Sequence, residues 1–90
     1  MSGLAIDLNR EVIDTISGLL DQLGSPSAVD ADALLEDLGL DSLAGVEFVC
    51  RIEERIPISI PKAVNPFVDD HKHRLRTVGE VIELLRTLLH

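Results

Sequence analysis

The chain has 90 residues, of which 46% are hydrophobic, and a formal net charge of −8. That length makes one small domain, 1–90, with a modest core and too little enclosed volume for a deep active site, which disfavours a self-contained enzyme. The lone Cys50 excludes an internal disulfide, no apolar run is long enough to span a bilayer or follows the pattern of a secretion signal, and a cytoplasmic monomer is the expectation.

With only Phe48 and Phe67 as aromatics, the core is expected to be built from Leu, Ile and Val. The first predicted helix runs from Asp7 or Asn9 to Leu23. Leu8, Val12, Ile13, Ile16, Leu19, Leu20 and Leu23 form its apolar face, and Gly24 is its stop. A long connection, residues 25–40, opens on Ser25-Pro26-Ser27. A turn or two of helix over residues 33–37 and a pin to the core through Leu34, Leu35 and Leu38 are expected within it.

The second helix is predicted from Ser42 to about Arg55. Leu43, Val46, Val49, Cys50 and Ile52 recur there at spacings of three and four, and nothing breaks the pattern before Ile56-Pro57. Residues 56–61 alternate too briefly, and with too many prolines, for a central strand, so they read as an extended connector. Residues 62–76 show partial helical periodicity through Phe67, Val68 and Leu75, with Asn65-Pro66 as a turn or helix start, and a short third helix is predicted. The last helix is announced by Thr77 and Glu80 at capping-box spacing, with Val78, Val81, Ile82, Leu85, Leu88 and Leu89 on one face. The expected fold class is therefore all-α, a bundle of three long helices plus one short helix, with a long first connection and no sheet.

The chemistry concentrates at Asp37-Leu38-Gly39-Leu40-Asp41-Ser42-Leu43. Gly39 permits a backbone conformation closed to other residues, Asp41 is a preferred N-cap, and Ser42 then opens the second helix. A hydroxyl there lies beside unsatisfied N–H groups and partial positive charge, a favourable place for a phosphate or phosphodiester. Serine also opens helices with no such role. An unassisted serine is a poor nucleophile, and neither His71, His73 nor His90 is near it in sequence, so a hydrolase built on Ser42 lacks its base.

Taken together, Asp41-Ser42-Leu43, the preceding Leu38-Gly39-Leu40, the following Val46-Glu47, Arg51-Ile52-Glu53-Glu54, Ile58-Ser59-Ile60-Pro61 and Thr77-Val78 resemble the acyl carrier proteins over nearly the whole chain. The resemblance implies that Ser42 carries 4'-phosphopantetheine, donated by coenzyme A through a separate phosphopantetheinyl transferase. The thiol of that arm would hold acyl intermediates as thioesters for fatty acid, polyketide or related synthesis. It also implies docking through Asp41, Leu43, Val46, Glu47, Cys50, Glu53 and Glu54 to acyl transferases, synthases or ligases with basic patches, rim charges of this kind chiefly setting association rate and partner choice. Neither catalysis, nucleic-acid binding nor a metal belongs to this expectation.

The alternatives are a peptidyl or aminoacyl carrier, or an unmodified helical adaptor using its acidic face. Three features depart from the family pattern: Ala44 stands where many fatty acid carriers have an acid, Arg51 and Arg55 put positive charge on the second helix, and residues 62–76 form a longer segment that is basic towards its end at Lys72, Arg74 and Arg76. That segment would select a partner, widen a pocket shielding the acyl chain, or form a tolerated surface loop. Gly45, inside the helix, costs about 1 kcal/mol relative to alanine and would allow close approach of another helix or of the arm. Cys50 is expected to pack as a small apolar residue at the edge of the core or docking face rather than to react. Asp69, Asp70, His71 and His73 lack the spacing of a zinc site. Because the chain starts at Met1 with no flanking linker, a free-standing carrier is the expectation.

Overall fold

The computed structural model describes residues 6–89. Three helices, α1 (Leu8–Gln22), α2 (Ser42–Arg55) and α3 (Val78–Leu88), carry the fold, with α1 packed against both others. Each begins on an oxygen that caps it. Asp7 Oδ1 accepts from Arg10 N at 3.1 Å, Asp41 Oδ1 from Ala44 N at 2.9 Å, and Thr77 Oγ1 from Glu80 N at 3.1 Å. Among the described residues no helix is long and apolar enough to cross a membrane.

The buried stripe of α1 is Leu8, Val12, Thr15, Ile16, Leu19 and Leu20, with Ile13 half-buried. Leu23, expected on that face, is 60% exposed instead, because α1 ends at Gln22 and Leu23 stands beyond the packed turn. In α2 the buried residues are Gly45, Phe48 and Ile52. Leu43, Val46 and Cys50 lie exposed and Val49 half-buried, so most of the periodic apolar residues of this helix face outward. The two aromatics, though few, sit at the centre: the rings of Phe48 and Phe67 are 5.1 Å apart at 38°, and both side chains are fully buried among aliphatic neighbours. Tilted aromatic pairs of this kind add to the energy of burial alone.

The connection between α1 and α2 forms turns rather than the expected short helix: Leu38 N bonds Leu34 O at 3.2 Å, Gly39 N bonds Glu36 O at 3.0 Å, and Leu40 N bonds Leu35 O at 3.1 Å. Gly39 takes φ 87°, the left-handed conformation that stops any helix from propagating here. Leu35 is fully buried, Leu34 and Leu38 are half-buried, and Leu35 N donates to Arg76 O at 3.1 Å, which ties the connection to the approach to α3. Ile58, in the extended connector, bridges to Leu89 at the end of α3.

Residues 62–76 do not contain the predicted short helix, and the chain does have a sheet. Strand β1 (Val68–Asp69) pairs antiparallel with β2 (Arg74–Leu75), with Val68 opposite Leu75 and Asp69 opposite Arg74. The physical reason is that helical hydrogen bonding is diverted at every step. Pro66 has no N–H to give. The Asp69 carboxylate takes the amides of His71 and Lys72 at 3.0 and 3.2 Å, forming a local side-chain turn. Arg76 Nη1 donates to the carbonyls of Asn65, Pro66 and Val68, acceptors that a helix would need for itself. His73 then closes the turn at φ 53°. The architecture of the described residues is three helices with one two-stranded hairpin.

Candidate functional site

Ser42 is exposed at the first position of α2, immediately after its cap. The turn that delivers it is fixed from below: Leu40 is buried at 4% exposure, Gly39 reverses the chain, and Asp41 O accepts from Gly45 N at 3.3 Å. The first turn of α2 contains no acidic residue. Among the described residues its N–H groups and partial positive charge therefore meet only the Asp41 carboxylate, and Ser42 is exposed. An exposed serine at a helix start has room for a bulky phosphodiester with no core group displaced, and the local charge favours that anion. The residues present fit a phosphopantetheine group at Ser42, with Asp41 and the first-turn amides as its neighbours.

Leu43 at 76% exposure and Val46 at 57% stand out as large apolar side chains in contact with water. Each borders a groove beside α2. One, of about 360 Å³, runs past Leu19, Leu23, Asp41, Leu43 and Glu47; the other, of about 310 Å³, is walled by Val46, Val49, Cys50, Ile60 and Val64. Cys50 is exposed at the second groove and also borders a groove between α1 and α2 beside Thr15 and Gly18, so it lies at the surface edge of the helix packing.

The structure places the remaining acids differently from one another. Glu47 pairs with Arg51 at 3.1 Å, and Glu53 Oε2 accepts from Ile60 N at 2.9 Å, fastening the extended connector to α2. Glu54 is exposed, and among the described residues it takes no hydrogen bond or ion pair. Arg51 and Arg55 do not simply add positive charge to the outward face. Arg51, paired with Glu47, also donates to Gln22, while Arg55 reaches Glu11 at 2.8 Å and Asp14 at 3.7 Å, so α1 acids take up the charge of Arg55.

The role of one residue of this site, Asn65, escaped the sequence reading. Asn65 Nδ2 donates to Ser42 O at 2.8 Å while its Oδ1 accepts from Phe67 N at 3.0 Å. The amide reaches α2 because residue 45 is glycine: a Cβ there would overlap Asn65 Oδ1 and lie 2.9 Å from its Cγ. What approaches Gly45 in the fold is thus a loop side chain rather than another helix. The signal in the sequence was a glycine one turn after the serine together with an Asn-Pro pair in the next loop, but the pairing of the two needed the fold.

In the hairpin, Asp69 is a turn-forming acid. Burial works to raise its pKa, but the Lys72 and His71 amides and the charges of Arg76 and Lys72 prevail and lower it. Among the described residues no cluster of three or more His, Cys, Asp or Glu side chains is close enough to hold a metal ion.

Residues 10–64 match the family model described as a phosphopantetheine attachment site. Acyl carrier proteins are among the relatives. That of Amoebophilus asiaticus is 35% identical over 85 residues, covering 92% of this chain and 94% of the relative. That of Sulfurovum is 38% identical over 65 residues, covering 71% and 77%, and that of Akkermansia muciniphila 41% over 66 residues, covering 71% and 74%. No solved structure matches significantly. With an open serine-bearing helix start inside the matched residues and a relative aligned along 92% of its length, the chain belongs to the acyl carrier protein family, whose cofactor is covalently attached phosphopantetheine.

Proposed function

We propose that this protein is a carrier, a single domain over residues 1–90, that holds 4'-phosphopantetheine on Ser42 and presents acyl groups to separate enzymes of fatty acid, polyketide or related specialised synthesis. The observation that carries the reading is the exposure of Ser42 at the first position of a capped helix, within the residues that match the attachment-site family. When attached, the group supplies a thiol on a flexible tether, on which acyl cargo is held as a thioester. The chain's own residues position and recognise: Asp41 caps the helix, Gly39 turns the chain, and the exposed surface offers the docking contacts.

That docking surface is Asp41, Leu43, Val46, Glu47, Cys50, Glu53 and Glu54. Exposed leucine and valine flanked by carboxylates suit an apolar pocket rimmed by basic side chains, in which the rim sets rate and partner choice and the apolar contacts resist dissociation. The partners are a phosphopantetheinyl transferase and then transferases, synthases or ligases with such basic patches. Among the described residues no side chain hydrogen-bonds the Ser42 hydroxyl and the Asp41 carboxylate is engaged as the helix cap, so the group that takes its proton belongs to the transferase.

The test is to incubate the purified chain with coenzyme A and a broad-specificity phosphopantetheinyl transferase and weigh the product. One phosphopantetheine should be gained by the wild type and none by Ser42→Ala. A gain that survives the substitution, or no gain at all, defeats the reading.

A further inference from the structure

The first turn of α2 is held from across the molecule by the segment in which this chain departs from the family pattern. Asn65 uses both ends of its amide, donating to the carbonyl of Ser42 itself and accepting from Phe67 N. Gly45 vacates the space it occupies. Behind it, Arg76 grips the carbonyls of Asn65 and Pro66 at 3.4 and 3.1 Å and also that of Val68, while the Phe67 ring is buried against Phe48. A carbonyl has two lone pairs, so Ser42 O can accept from Asn65 in addition to the ordinary bond along the helix. The backbone of Ser42 is thereby fixed along α2 and sideways by residues 62–76.

We propose that Asn65 is a positioning residue for the loading of Ser42, a role that rests on Ser42 being the attachment serine. In the transfer, Ser42 Oγ forms a bond to the pantetheine-side phosphorus of coenzyme A. The anhydride bond to that phosphorus breaks, adenosine 3',5'-bisphosphate leaves with the electron pair, and the serine proton goes to the transferase's base. This displacement requires the oxygen in line with the breaking bond, and a misplacement of about 1 Å costs up to about 100-fold in such steps. Among the described residues the Ser42 side chain makes no hydrogen bond of its own, so its placement follows its backbone, which Asn65 holds. The exposed side chains that face a partner, Leu43, Val46 and Glu47, are not among those Asn65 bonds. Asn65 also lines the groove beside Val46 and Cys50; Asn65→Asp keeps that lining, so in this variant loss of the donor falls on turnover and not on docking.

The experiment follows coenzyme A-dependent mass gain with a broad-specificity phosphopantetheinyl transferase, at saturating coenzyme A and varied carrier concentration. Wild type is compared with Asn65→Ala, Asn65→Asp and Gly45→Ala, and folding is checked by circular dichroism. Asn65→Asp keeps the size of the side chain and an acceptor for Phe67 N but removes the donor, so the test survives if Asn65→Ala fails to fold. The expected result is a kcat lower by about 3- to 10-fold in all folded variants, with KM for the carrier within about 2-fold of wild type in Asn65→Asp, as loss of orientation demands. Partial unfolding would instead dilute the competent carrier and raise the apparent KM with kcat intact. That pattern, or unchanged kinetics in Asn65→Asp and Gly45→Ala, overturns the proposal while Ser42 stands as the attachment residue. Failure of that underlying reading looks different: no gain by wild type, or a gain that persists in Ser42→Ala.

Discussion

Helices α2 and α3 begin in opposite ways. At α3, Thr77 and Glu80 complete a reciprocal capping box, at 3.1 and 2.9 Å, and the Glu80 carboxylate also receives Arg74 and Lys72 at 3.1 and 3.3 Å. The positive end of that helix is neutralised by an acid built into its own first turn. At α2, Asp41 caps Ala44 N, no acid follows in the first turn, and Ser42 and Leu43 face solvent. A helix start finished internally anchors the fold, whereas one left open can receive an anion from outside. Both designs occur in one small domain, and the loop between them carries Asn65 to the first and Arg74 to the second.

The contrast breaks most completely if the link between the two helix starts is cut. Phe67 lies between Asn65 and β1, its ring fully buried against Phe48. Phe67→Ala should cost about 3–5 kcal/mol, a large share of the roughly 5–15 kcal/mol that holds a domain together. Urea unfolding at neutral pH measures it. A loss below about 1 kcal/mol, outside the range for a buried phenylalanine, would mean that the loop is held by its hydrogen bonds alone and that the ring is not the joint.

The anchoring start was legible in sequence and the presenting one only partly so. Thr77 and Glu80 lie three residues apart, so their box is a local pattern, and the same is true of the Asp41-Ser42 helix start and the limits of α2. The hairpin was not legible: Phe67, Val68 and Leu75 have helical spacing, and what defeats a helix is the Arg76 side chain reaching back to three carbonyls and the Asp69 carboxylate closing a turn. Such diversion depends on where a long side chain lands, which periodicity does not encode. Periodicity alone likewise did not separate the exposed Val46 and Cys50 from core positions; the family resemblance put both on the docking face, and the geometry of α2 gives the interior to Gly45, Phe48 and Ile52.

Deleting each cap sharpens the comparison. Thr77→Ala removes one half of the box and the fixed orientation of Glu80, and it should cost about 1–2 kcal/mol. Asp41→Ala removes one exposed hydrogen bond and should cost about 0.5–1 kcal/mol. Paired urea titrations decide the order. If Asp41→Ala proves the more costly, the α2 start is a structural anchor as well, and its openness is not the distinguishing property.

The two starts should also differ in pH response. The Thr77 amide, Arg74 and Lys72 pull the pKa of Glu80 from its ordinary 4.5 down to about 2. Because the folded value lies below the unfolded one, the stabilisation is complete above about pH 4.5, declines as pH falls, and is lost below about pH 2. Allowing for a carboxylate one-third in contact with water, the amount is about 1 kcal/mol. Asp69, its pKa lowered chiefly by backbone amides against the effect of burial, loses stabilisation in the same direction. The difference between wild type and Glu80→Gln therefore isolates the α3 term: it should shrink between pH 4.5 and pH 2. A difference that stays constant over that interval would show that the carboxylate is not held at its low pKa by the helix start.

The smallest effect separates the parts of the Glu80 cluster. Lys72 meets Glu80 at 3.3 Å from a side chain 57% exposed, whereas Arg74, 32% exposed, donates through two nitrogens and also bonds Leu75 O at 2.7 Å. A long, mobile lysine in water gives up in side-chain entropy much of what it gains by Coulomb attraction, and salt screens the remainder. Lys72→Ala should cost no more than about 0.5 kcal/mol and lose even that at high salt, while Arg74→Ala should cost more and retain it, since a planar fork on one carboxylate is less screened and less mobile. Equal losses from the two substitutions, both vanishing with salt, would mean that Glu80 is held by the backbone cap alone and that the cations of the hairpin only surround it.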